Sequence, residues 1–118
     1  MKTIQLKRLT NMTVLCVLLH MAVAQVHAQT LKTEQTLIIQ NHQFEPSEIK
    51  VPANQKIKLT IQNKDNTPEE FESHSLKREK VIPGGGKVRI NIGPLKPGRY
   101  EFFGEFNPAT AKGVVIAE

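Results

Sequence analysis

Two stretches of the chain alternate strictly between apolar and polar residues. Lys56 to Gln62 sets Ile57, Leu59 and Ile61 against Lys56, Lys58 and Thr60, and Lys87 to Ile92 sets Val88, Ile90 and Ile92 against Lys87, Arg89 and Asn91. A period of two with one apolar face is the signature of a half-buried β-strand. Thr36 to Asn41, Glu48 to Val51, Phe71 to Leu76, Arg99 to Phe103 and Val114 to Ala117 also read as strands. They are separated by turn formers at His42 to Pro46, Pro52 to Gln55, Pro83 to Gly86 and Gly93 to Gly98. No segment carries a helical period. Seven to eight short strands with turns at this spacing predict an all-β sandwich. One local exception is expected: Thr67 as N-cap, Pro68 behind it and Glu70 three residues after the cap match a capping box, which predicts a single helical turn.

The first residues belong to a different category. Lys2, Lys7 and Arg8 precede an apolar run from Met12 to Ala24, and Val26-His27-Ala28 offers small residues for cleavage before Gln29. This is the pattern of a secretory signal peptide over residues 1–28, leaving one domain over residues 29–118 in the periplasm. A run of about 13 residues falls short of the roughly 20 needed to span a bilayer, so no membrane span is expected in the mature chain. Cys16 lies mid-run, without the small residues that precede a lipidated cysteine.

Removing the leader decides what chemistry is left. Cys16, Met1, Met12 and Met21 are the only sulfur residues, so the mature chain has no disulfide, thiolate or thioether and cannot select soft metals through sulfur. Three of the 16 Lys and Arg go with it, leaving 13 against 11 Asp and Glu. With few aromatic residues and dispersed lysines, a nucleic-acid surface is not supported. Catalysis is not supported either. Ser73 and Ser75 flank His74 on what reads as one strand, where neighbouring side chains point to opposite faces. Gly84 to Gly86 lacks the residues of a phosphate loop and reads as a hairpin turn. A non-enzyme is expected.

The closing segment, Tyr100 to Val115 (YEFFGEFNPATAKGVV), carries a family resemblance. Together with Phe44-x-Pro46, Ile49-x-Val51, Ile57 to Asn63 and Leu95-x-Pro97-Gly98-x-Tyr100, it resembles the cupredoxins over the whole mature chain. The fold this implies is a cupredoxin-like Greek-key β-sandwich. Leu95 to Tyr100 also has the spacing of a tyrosine corner. By position, Gly104 stands where the family has its copper cysteine, Asn107 where it has a histidine, and Ala111 where it has a methionine. The resemblance therefore implies no type 1 copper. Thr67 to Pro83 is most similar to the cupredoxin modules of bacterial periplasmic iron-uptake proteins.

That resemblance implies a metal-binding or metal-transfer accessory in iron or copper uptake. An iron permease or another envelope protein is the expected partner. The cofactor would be a transition metal, iron or copper, held through oxygen and nitrogen. Glu70 falls near the family's upstream histidine, and Glu72 and His74 follow at steps of about 6.6 Å on one strand face. These three with Glu45 are the candidate ligands, on the expectation that the first three strands run antiparallel and gather His42, Glu45, Glu69, Glu70, Glu105 and Asn107 at one pole. The simpler readings are a dipole role for Glu69 and Glu70 in a capped turn, an exposed Glu72 and His74, a loop His42 and a turn-capping Glu45. Phe103 and Phe106 are expected to fill the space a metal would take. The alternative function is a metal-free protein-interaction domain of the cell envelope, using the Gly104 to Lys112 loop.

Overall fold

The computed structural model describes residues 30–118. The expected signal peptide, its cleavage site and Cys16 lie outside the described residues. Among the described residues there are nine strands and no helix: β1 (Glu34–Gln40), β2 (Gln43–Glu45), β3 (Glu48–Val51), β4 (Ile57–Asn63), β5 (Glu69–Ser73), β6 (Arg78–Ile82), β7 (Lys87–Ile92), β8 (Gly98–Gly104) and β9 (Lys112–Ala117). They form two mixed sheets, ordered β2-β1-β4-β7 and β3-β9-β8-β5-β6. The all-β sandwich expected from the alternation is what the chain adopts.

The apolar positions of the alternating strands meet between the sheets. Leu37, Ile39, Ile57, Leu59, Ile61 and Ile92 come from one sheet, and Ile49, Val51, Phe71, Ile82, Phe102 and Val115 from the other, all essentially inaccessible to water. Burying each such side chain stabilises the fold by about 1.5–3 kcal/mol. Phe44, Phe71 and Phe102 cluster in the middle, with ring centroids 5.1 to 6.2 Å apart. The Tyr100 hydroxyl donates to the Lys96 carbonyl at 2.8 Å, which makes the tyrosine corner that Leu95 to Tyr100 foreshadows.

Three local expectations give way. The first three strands do not run as an antiparallel set. β1 pairs antiparallel with β2 but parallel with β4, and β3 leaves for the other sheet beside β9. The cause is a two-residue hairpin at Asn41 and His42, whose φ angles of 54° and 56° are those of a tight primed turn. It folds Gln43–Glu45 back onto β1. The Asp65 carboxylate holds this hairpin, accepting from Asn41 N at 2.8 Å and His42 N at 2.9 Å. Secondly, the capped helical turn at Thr67 does not form, because Glu69 and Glu70 pair with Ile82 and Val81 as strand residues. Finally, the strand expected over Phe71 to Leu76 ends at Ser73, and His74 lies in the turn to β6. The Ser73 hydroxyl stops it there, accepting from Leu76 N at 3.2 Å and donating to the Glu101 carbonyl at 2.6 Å.

Candidate functional site

Alternation along β5 sends Glu69, Phe71 and Ser73 inward and Glu70 and Glu72 outward. This creates two distinct acidic features, one inside the pole of the sandwich and one on its outer face.

The inner feature is Glu69, which is 1% exposed. Its Oε1 accepts from Glu70 N at 2.9 Å and Phe106 N at 3.0 Å, and its Oε2 accepts from Asn107 Nδ2 at 2.7 Å. Beside it, the loop after β8 closes through Asn107 N to Gly104 O, Ala111 N to Asn107 O and Gly104 N to Ala111 O, at 2.9 to 3.1 Å. The Thr110 hydroxyl ties that loop to the β1–β2 hairpin, donating to His42 O at 2.7 Å. A Cβ on Gly104 would stand 2.6 Å from both Glu69 Cδ and Ala111 Cβ. No side chain fits there, cysteine included.

Two expectations are thereby corrected. Glu69, and not Glu70, joins Gly104, Asn107 and Ala111 at the position of the family's metal site, because strand pairing fixes which glutamate faces inward. It is also Glu69 that fills the space assigned to Phe103 and Phe106. Phe106 is 49% exposed, and Phe103 faces outward against the His74 ring, 5.7 Å between centroids. The donor set does not fit type 1 copper. It offers no thiolate, imidazole or thioether, and its carboxylate oxygens are engaged by N–H groups.

The outer feature joins Glu70 and Glu72 to Glu79 of β6, which sits directly across the ladder from Glu72. One carboxylate oxygen from each of the three lies within 4.8 Å of the others. A hydrogen bond shared with Glu79 holds the Glu70 carboxyl above its ordinary value of 4.5, reinforced by burial and by the charges of Glu79, Glu72 and Glu105. His74 stands at the edge, its Nδ1 3.6 Å from Glu72 Oε1. Glu45 is placed elsewhere, on edge strand β2 of the opposite sheet, across from Ile38. Glu79 was missed in the sequence, although a hairpin around His74 to Lys77 aligns it with Glu72. Carboxylates with an adjacent imidazole can coordinate iron, zinc or copper(II).

A family model described as Cupredoxin-like domain matches residues 12–117. Uncharacterized protein RP394 of Rickettsia prowazekii (strain Madrid E) is 47% identical over 83 residues, covering 70% of this chain and 66% of that protein. The chain thus spans just under two thirds of that relative's length. Among solved structures, dithionite-reduced auracyanin from Roseiflexus castenholzii superposes with a TM-score of 0.63 at 16% identity, over 75% of this chain and 99% of its own. The purple cupredoxin from Nitrosopumilus maritimus gives 0.56 at 17%, over 70% and 98%. The metal binding domain of the Cu(I) exporting P-type ATPase CopA from Streptococcus pneumoniae D39 gives 0.61 at 16%, over 72% and 84%. At these identities the superpositions speak to the fold.

Proposed function

Since the chain belongs to the cupredoxin-like domain family, we propose that it is an exported periplasmic module that binds a transition metal outside the family's usual pole. The ligands would be Glu70, Glu72 and Glu79, with His74 at the rim. The observation that carries this reading is the convergence of three outward carboxylates within 4.8 Å, with Glu70 held above its ordinary value first by the hydrogen bond shared with Glu79, then by burial and by the charges around it. A divalent cation relieves that repulsion. The structural neighbour described as the metal binding domain of a Cu(I) exporting ATPase lends it a general metal-related background.

The role is reversible coordination and hand-over, not catalysis. An open oxygen-rich shell on a solvent-facing hairpin favours ligand exchange. The partner class is an envelope metal transporter such as an iron permease. Calorimetric titration with copper(II), zinc(II) and anaerobic iron(II), repeated on Glu70→Gln with Glu72→Gln, tests the site. Saturable one-to-one binding should weaken in the double variant by more than the roughly tenfold that losing an outer-shell partner costs. Unchanged affinity rejects the assignment.

A second reading is a metal-free interaction domain, favoured by one observation, the 49% exposure of Phe106 at the tip of the loop after β8. It expects Phe106→Ala to weaken capture of an envelope partner with metal making no difference. Retained capture counts against that surface.

A further inference from the structure

The pole is more than an emptied metal site. Two backbone N–H groups, from Glu70 and Phe106, and one side-chain N–H, from Asn107, converge on the Glu69 carboxylate from three directions. Among the described residues no lysine, arginine or histidine pairs with Glu69. No buried polar side-chain atom among them lacks a partner. The buried carboxylate is therefore held entirely by N–H donors. A site designed for a cation would turn acceptors inward, whereas this one turns donors inward.

We propose that the pole is a small-carboxylate binding site whose occupant is the chain's own Glu69, a tethered anion standing where the fold family holds a cation. The tether explains Gly104: the carboxylate carbon lies where a Cβ at that position would have to go. It also explains why the loop after β8 keeps its closed form, since Phe106 N and Asn107 Nδ2 anchor the loop to β5 through this one group. The inference is independent of metal binding by Glu70, Glu72 and Glu79 on the opposite face of β5.

The experiment is chemical rescue. Glu69→Ala leaves the Cβ and removes a fragment the size of acetate, with three donors exposed to a void. The purified Glu69→Ala protein should melt roughly 10 °C or more below the wild type. Acetate should restore most of that loss in a saturable manner, while acetamide and sodium chloride at equal concentration restore little, and copper(II) or zinc(II) stabilise the variant no more than they stabilise the wild type. Acetamide matching acetate would reduce the effect to filling a hole and overturn the proposal. Stabilisation by either metal that is larger in the variant than in the wild type would overturn it as well. Should Glu69→Ala not fold, Asn107→Asp supplies the test by setting a second carboxylate against the first. That variant should be destabilised at neutral pH, recover on acidification, and be rescued by adding Glu69→Gln. Wild-type stability of Asn107→Asp at neutral pH would contradict a donor-lined site.

Discussion

The Gly104 position and the Glu69 side chain occupy one another's space, and that exclusion sets the character of the pole. Gly104→Ala must displace both the Glu69 carboxylate and Ala111, and is expected to cost about 1–3 kcal/mol in urea unfolding. A loss under about 0.5 kcal/mol would mean the pole is loosely packed. Asn107→Ala removes the donor to Glu69 Oε2 and should cost a similar amount, about 1.5–3 kcal/mol for a hydrogen bond to a charged group. At the other side of the pole, the hydrogen bond from the His42 backbone, against the opposing effect of burial and helped by a further bond from the Asn41 backbone, holds the Asp65 carboxyl below its ordinary 3.8. A lowered folded pKa gives stability that is present above 3.8 and lost as pH falls below it. Asp65→Asn should accordingly flatten the acid limb of the stability profile, and an unaltered limb would show that the β1–β2 hairpin does not depend on this charge.

The β5–β6 hairpin behaves in the opposite sense. The folded pKa of Glu70 is raised above 4.5, so folding binds its proton more tightly than the unfolded chain does. Its contribution is fully present below about pH 4.5 and is lost as pH rises from there through the raised value. Replacing the carboxylate that shares a hydrogen bond with Glu70 and adds its charge beside it, Glu79→Gln, should raise the melting temperature at neutral pH and leave it nearly unchanged in acid; no gain at neutral pH would show that the three carboxylates do not interact. This hairpin is also where local sequence reading reached its limit. The Thr67-x-x-Glu70 pattern satisfies a capping box, but pairing with β6 overrides it, since a strand here buries Phe71 and satisfies the Glu69 carboxylate. That Glu70 and Glu72 share one face was legible from period two. Which glutamate turned inward was not, because it depends on the register with Ile82 and Val81, and a one-residue shift reverses every side chain.

Across the whole molecule, the sandwich could be read from Ile57, Leu59, Ile61, Val88, Ile90 and Ile92, whose alternation leaves a single consistent face for a core. The tyrosine corner was equally legible, because Leu95 to Tyr100 is local in sequence. The pole was not. It assembles from β5, the loop after β8 and the β1–β2 hairpin, with 37 and 38 residues separating Glu69 from its two donors in that loop. Only the missing cysteine, histidine and methionine pointed to it, and an absence names no replacement. The molecule's polar chemistry thus divides in two: a pole sealed around its own carboxylate, and an outer face of β5 and β6 open to a cation. Titrating the isotope-labelled protein with zinc(II) while following backbone amide resonances tests that division directly. Shifts should be confined to Glu70, Glu72, His74 and Glu79, with Gly104, Phe106, Asn107 and Ala111 unmoved. Shifts centred on the loop from Gly104 to Ala111 would contradict it.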